Sequence, residues 1–111
     1  MEFLVRLVIM WPVDGDETSK SQLIAAESAR ADELIRSGHL LRIWRTVGVW
    51  GNTGLWSTQD ATELHALITS LPLFRWMRVD VEPLARHPSD PGHLPGNAGR
   101  SKETDPDSRE P

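Results

Sequence analysis

Residues 2–11 read Glu-Phe-Leu-Val-Arg-Leu-Val-Ile-Met-Trp, and this stretch decides the fold class because it predicts a strand at the start of the chain. In an extended backbone every second side chain points to the same side of the sheet. The residues that share one face are Phe3, Val5, Leu7 and Ile9. Pro12 ends this strand because it has no N–H to donate to a neighbouring strand.

A helix follows the first strand after a short turn. Asp16 or Thr18 can accept hydrogen bonds from the free N–H groups of its first turn. Apolar side chains then recur at helical spacing to about Ser37. Gly38 supplies the left-handed conformation in which helices commonly end.

Two further extended segments predict a hairpin. Residues 39–47 and 49–56 are separated by Gly48. In the first of them, strict alternation places Leu41 and Ile43 on one face, opposite Arg42 and Trp44.

A second helix and a last strand complete the pattern. Capping residues at 57–60 precede apolar residues at helical spacing, which continue until Pro72, and residues 76–84 alternate again. The element order is therefore β-α-β-β-α-β. This order predicts the α+β class and a ferredoxin-like fold, with an antiparallel sheet and two helices on one face.

The composition changes sharply near the C-terminal end. Residues 88–111 hold five of the eight prolines and three of the eight glycines, but few apolar side chains. Such a segment cannot bury enough apolar surface to fold. We therefore expect a single domain at residues 1–89 and a disordered tail at 90–111.

Composition also excludes several classes of protein. The chain has no cysteine, a formal net charge of −4 and no apolar run of the roughly 20 residues that a membrane helix needs. These features argue against disulfides, nucleic-acid binding and membrane insertion. No small-residue cleavage site follows the apolar run at residues 7–11, so no signal peptide is expected and the cytoplasm is the default. Its four histidines lack metal-ligand spacing with carboxylate support. We expect neither a metal nor a cofactor.

Glu27 breaks the pattern of the first helix. With Leu23 at zero on a helical wheel, Glu27 falls at about 40° and Lys20 at about 60°, inside an apolar arc that extends to Ile35 at about 120°. Burial raises the pKa of a carboxyl group and can prepare it for proton transfer near neutral pH. The plainer alternative is a boundary residue paired with Lys20 or with an arginine of the sheet.

The hairpin supplies candidate substrate-binding residues. Arg42 and Arg45 can bind a carboxylate through two parallel hydrogen bonds. Trp44 and Trp50 can form the wall of an apolar pocket, and Asn52 is an unusual residue for the interior of a strand. Each also has a structural alternative: a surface arginine, a core tryptophan or a bulge.

A series of motifs follows one order along residues 1 to about 89, and it resembles the muconolactone delta-isomerase family. The motifs are Phe3-Leu4-Val5-Arg6, Trp11-Pro12-Val13-Asp14, Glu27, Leu41-Arg42-Ile43-Trp44-Arg45, Gly48, Asn52, Glu63-Leu64-His65, Leu71-Pro72-Leu73-Phe74 and Arg86-His87-Pro88-Ser89.

The resemblance implies a cofactor-free enzyme that moves a double bond within a five-membered lactone bearing a carboxymethyl group. It implies that Glu27 removes a ring proton and returns it at the other end of the dienolate. Lys20 or Asn52 would then stabilise charge on the lactone carbonyl oxygen, and an arginine would bind the substrate carboxylate. It also implies a homo-oligomer, specifically a decameric ring. An uncovered apolar sheet face, with Leu4 and Val8, likewise favours a homo-oligomer.

Two departures from the family pattern leave the substrate open. Val49 and Trp50 stand where the family carries His-Tyr, and Leu40 stands where it usually carries tryptophan. The alternatives are a dehalogenase or isomerase of a chloro- or methyl-substituted muconolactone, and a non-catalytic small-molecule-binding module on the same fold.

Overall fold

The computed structural model describes residues 1–93 and confirms the expected element order. Residues 94–111, which make up most of the segment expected to be disordered, lie outside the described part. The elements are β1 Glu2–Ile9, α1 Glu17–Arg36, β2 Leu40–Arg45, β3 Gly51–Ser57, α2 Ala61–Thr69 and β4 Met77–Leu84, with short 3-10 turns at Phe74–Trp76 and Pro91–His93.

The four strands form one antiparallel sheet in the order β2-β3-β1-β4. β1 is central because it pairs with β3 on one side and with β4 on the other. Its alternating residues Phe3, Val5 and Leu7 are buried as predicted. Leu34 of α1 and Ile68 of α2 join the same buried cluster, so both helices cover one face of the sheet.

The limits of α1 follow from local hydrogen bonding. The Asp16 carboxylate accepts a hydrogen bond from the Ser19 N–H at 2.8 Å, and this bond lowers the pKa of Asp16. At the other end Ser37 is the C-cap residue, and Gly38 after it has φ +83°. Both ends therefore lie where the sequence predicts them.

The core-facing side of α1 is narrower than the wheel predicts. Leu34 is 1% exposed, whereas Ile24 and Ile35 are 44% and 49% exposed. The buried arc is therefore centred between Leu23 and Glu27, and its predicted extension to Ile35 is wrong. Ile24 instead lines a cavity beside the helix.

A β-bulge also shifts the first strand of the hairpin. The β2–β3 register changes between Leu40 and Arg42, so Leu40 pairs with Trp56 and is buried, while Leu41 is 45% exposed. Strict alternation placed Leu41 with Ile43, and this prediction is wrong because the bulge adds one residue. Beyond the bulge, Ile43 and Arg45 face the helices, as their partners Gly54 and Asn52 do.

Gly54 makes room for an indole ring in the core. A Cβ at this position would lie 2.9 Å from Nε1 of Trp56 and 3.1 Å from Leu40. Trp56 is 2% exposed, and its Nε1 has no hydrogen-bond partner among the described residues. The missing side chain of Gly54 therefore fixes where Trp56 packs, beneath the cavity beside α1.

The face of the sheet away from the helices keeps apolar surface in contact with solvent. Leu4 and Val8 are only partly buried, and Met10 beyond the end of β1 is 61% exposed. None of the helices in residues 1–93 combines the length and the hydrophobicity needed to cross a bilayer.

Candidate active site

Two neighbouring cavities of about 230 and 340 Å³ lie between α1 and the β2–β3 hairpin. We call them together the α1 cleft. The lining residues that they share are Glu27, Ile43, Trp50, Asn52 and Leu73. Most of the remaining wall is apolar, with Leu7, Leu34 and Trp56 at the core side. A small, largely apolar molecule with a few polar groups suits such a cleft.

Glu27 is the acidic residue of this cleft. It is partly buried, and its Oε1 accepts a hydrogen bond from the backbone N–H of Leu73 at 3.0 Å. Among residues 1–93 no cationic side chain forms an ion pair with it. Desolvation raises the pKa of Glu27, and the hydrogen bond from Leu73 offsets part of this rise. The structure therefore does not show the alternative in which Glu27 pairs with Lys20.

The segment after α2 places the Leu73 amide against Glu27. Pro72 has no N–H, and the Leu71 N–H is already bonded to the Ile68 carbonyl at 3.1 Å. Leu73 is 2% exposed, so its amide needs an acceptor within the protein. Leu73 was not predicted as this partner; the available signal was Pro72, which follows the end of α2.

Lys20 lies at the edge of the cleft. Its Nζ is 5.0 Å from the centroid of the Trp50 ring, a cation–π arrangement. Trp50 lines both cavities, whereas Lys20 itself lines neither. The ammonium group is therefore held over an aromatic wall and does not contact Glu27.

Arg45 and Asn52 lie opposite each other in the β2–β3 register, and both line the second cavity. Trp44 also lines this cavity. Arg42 is different: it pairs with Leu55 on the face away from the helices, and its guanidinium carbon lies 4.8 Å from the Trp44 ring centroid. The structure thus places Arg45 in the cleft and Arg42 outside it.

The described residues contain no cluster of three or more histidine, cysteine, aspartate or glutamate side chains that could hold a metal ion. Apart from indole groups, the polar side chains that line the cleft are the Glu27 carboxyl group, the Asn52 amide, the Arg45 guanidinium group and the Ser28 hydroxyl.

Comparison with known proteins gives consistent matches. The family model for muconolactone delta-isomerase matches residues 1–90. The muconolactone delta-isomerase of Rhodococcus opacus is 40% identical over 88 residues, which are 79% of this chain and 95% of the relative. That of Cupriavidus pinatubonensis is 36% identical over 89 residues, which are 80% and 97% of the two chains.

Solved structures give the same match. A crystal structure of muconolactone isomerase superimposes with a TM-score of 0.77 at 36% identity, covering 81% of this chain and 94% of that one. A 5-chloro-2-hydroxyhydroquinone dehydrochlorinase from Burkholderia phenoliruptrix has a TM-score of 0.59 at 16% identity, covering 78% and 95%. The second likeness shows the fold alone.

Replacing Glu27 by glutamine should change how stability depends on pH. The folded-state pKa of Glu27 is raised, so the folded protein binds this proton more tightly than the unfolded chain does. The resulting contribution to the free energy of unfolding is complete below the usual glutamate pKa of 4.5 and is lost as pH rises through the folded-state value. The free energy of unfolding of the wild type should therefore fall relative to that of Glu27→Gln as pH rises from about 4 to 7. Urea denaturation of both proteins across this range measures the difference, and parallel profiles would contradict the burial of this carboxyl group.

Proposed function

The chain belongs to the muconolactone delta-isomerase family, and we propose that it shifts the ring double bond of muconolactone by carrying one proton on Glu27. The product is 3-oxoadipate enol-lactone. The observation that supports this role is a carboxyl group with a raised pKa in an apolar cleft, with no cation paired to it within residues 1–93.

The proposed reaction needs one base that later acts as the acid. The Glu27 carboxylate takes the proton from the ring carbon that bears the carboxymethyl group, and the electron pair spreads through the double bond to the lactone carbonyl oxygen. The protonated Glu27 then returns the proton to the ring carbon next to this carbonyl. The double bond moves by one position, and no atom is gained or lost.

The raised pKa of Glu27 suits both steps. A carboxyl group with an ordinary pKa is a weak base at neutral pH, and raising its pKa strengthens it as a proton acceptor. The hydrogen bond from the Leu73 amide keeps Oε1 in place, which leaves Oε2 to carry the proton. The apolar wall limits the exchange of this proton with water.

Negative charge on the lactone oxygen needs a donor, and the substrate carboxylate needs a cation. Asn52 lines both cavities with Glu27, and its amide N–H groups can donate to the developing oxyanion. Lys20 at the edge of the cleft is the second candidate for this role. Arg45 is the favoured partner of the carboxylate because it lines the cleft and Arg42 does not.

We further propose that the enzyme is a cytoplasmic homo-oligomer and that the oligomer is a decamer. We also propose that it acts in aromatic compound degradation, in the catechol branch of the β-ketoadipate pathway. The catalytic domain is residues 1–89, and residues 90–111 are an extension beyond it. Support for assembly comes from the β2 edge patch, a set of exposed apolar side chains on the outer strand and the turn after it. They are Leu41, Ile43, Trp44, Val47, Val49 and Trp50, of which Ile43, Trp44 and Trp50 also line the α1 cleft.

Glu27→Gln should lower kcat for muconolactone isomerisation by about 10²- to 10⁴-fold, because the amide cannot accept the ring proton. Ultraviolet absorbance of the lactone measures the rate. Glu33→Gln is the matched control, since Glu33 is an exposed carboxylate on the same helix and should leave the rate unchanged. Wild-type turnover in Glu27→Gln would overturn the proposal.

Chloride release from a chloromuconolactone would favour the dehalogenase alternative.

Arg45→Met should raise KM for muconolactone by about tenfold or more, because a charge-assisted hydrogen bond to the substrate carboxylate is lost. Arg42→Met is the matched control and should change KM by less than about twofold, since Arg42 stacks on Trp44 but lines neither cavity itself. Steady-state kinetics of the two variants shows which arginine binds the substrate carboxylate. A larger increase in KM for Arg42→Met than for Arg45→Met would contradict the role of Arg45.

Leu41→Lys and Val47→Lys should dissociate the oligomer, because each places a charge in the β2 edge patch, where these side chains are 45% and 96% exposed. Size-exclusion chromatography with light scattering measures the molar mass. Val13→Lys alters a fully exposed side chain in the turn after β1 and should leave the mass unchanged. A monomeric wild-type protein would contradict the proposed assembly.

A further inference from the structure

Two hydrogen-bonded links join α1 to the segment Ser70–Leu73. The first is the bond from the Leu73 amide to Glu27 at 3.0 Å. The second lies about one helical turn further along, where Nε and Nη2 of Arg30 donate to Oγ of Ser70 at 3.2 and 2.9 Å. One face of α1 therefore holds both ends of a four-residue segment.

This segment is stiff between its two attachments. The Ser70 hydroxyl donates to the Leu67 carbonyl at 2.6 Å, which fixes Ser70 to the end of α2. Pro72 fixes its own backbone φ angle. Leu71 and Leu73 are 5% and 2% exposed and pack into the core. A displacement of Ser70 is therefore passed on to the Leu73 amide.

We propose that Arg30 and Ser70 are positioning residues that keep the Leu73 amide in hydrogen-bond contact with Glu27. The inference rests on the proposed role of Glu27 as the proton carrier. Arg30 lines neither cavity of the α1 cleft, so it acts through Ser70 and the segment that follows, without touching the substrate.

The consequence is a control on the proton affinity of Glu27. A hydrogen bond donated to a carboxylate favours its ionised form, so moving the Leu73 amide away raises the pKa of Glu27 further. The other charged groups on this side are Lys20, Arg30 and Glu33 of α1 and Arg45 of β2, and the segment Ser70–Leu73 contributes none. Arg30 is itself a cation and can act on Glu27 through its charge as well as through Ser70. The test therefore needs a variant that breaks the bond to Ser70 and keeps the charge of Arg30.

Ser70→Ala is that variant: it removes the acceptor of Arg30, together with the bond from Ser70 to Leu67, and leaves every charge in place. The acid limb of the kcat/KM profile should move to higher pH by about half a unit, since less Glu27 is ionised at a given pH. The alkaline plateau should stay within about twofold of the wild type. Arg30→Met should move the limb in the same direction, and Ser70→Thr, which keeps a hydroxyl, should restore the wild-type profile.

The matched control is Glu33→Gln. Glu33 is the other partner of Arg30: it contacts Nη1 at 3.4 Å, whereas the bonds to Ser70 come from Nε and Nη2. The acid limb of the kcat/KM profile of Glu33→Gln should coincide with that of the wild type. An unchanged acid limb in Ser70→Ala would overturn the proposal, as would a uniform loss of kcat/KM at every pH with a lower melting temperature, because that pattern indicates a structural role.

A second readout separates this inference from the proposed function. In ¹⁵N-labelled protein, the Leu73 amide resonance should titrate with Glu27, and Ser70→Ala should move the titration midpoint to higher pH. This measurement needs no substrate. If the wild type does not isomerise muconolactone, the proposed function fails while the amide titration still tests the positioning role; a midpoint that does not move overturns the positioning role alone.

Discussion

The hydrogen bond from the Leu73 amide to Glu27 is the interaction on which the account of the cleft depends. An apolar cavity would by itself favour a neutral carboxyl group, and the amide restores part of the stability of the ionised form. The balance keeps one carboxyl group able both to accept and to return a proton. The two parts of this contact come from α1 and from the segment after α2, so it forms when both helices pack on the sheet.

The fold was predictable to a large extent because its signals are local. Asp16 and Gly38 mark the ends of α1 through capping and a left-handed φ, and alternation in β1 identifies the buried face. The errors have tertiary causes. Leu41 was predicted on the same face as Ile43 because the alternation of apolar and polar residues does not reveal a β-bulge. Ile35 was predicted in the core because a helical wheel does not show how much of the helix surface the sheet covers.

The site was predictable in its centre and less so in its surroundings. Glu27 stood out because burying an acidic residue within an apolar arc is costly unless it has a partner or a shifted pKa. Which arginine enters the cleft depends on the register beyond the bulge, which places Arg45 beside Asn52 and leaves Arg42 against Trp44. The contact with Leu73 joins residues 46 positions apart, and no local pattern reports such a contact.

The central claim is that one carboxyl group carries the proton from one ring carbon to another. Muconolactone deuterated at the carbon bearing the carboxymethyl group tests this directly, with nuclear magnetic resonance of the product formed in ordinary water. Transfer through a Glu27 shielded by the apolar cleft predicts that part of the deuterium appears at the carbon next to the lactone carbonyl. A product that carries hydrogen from water alone at this carbon would contradict it.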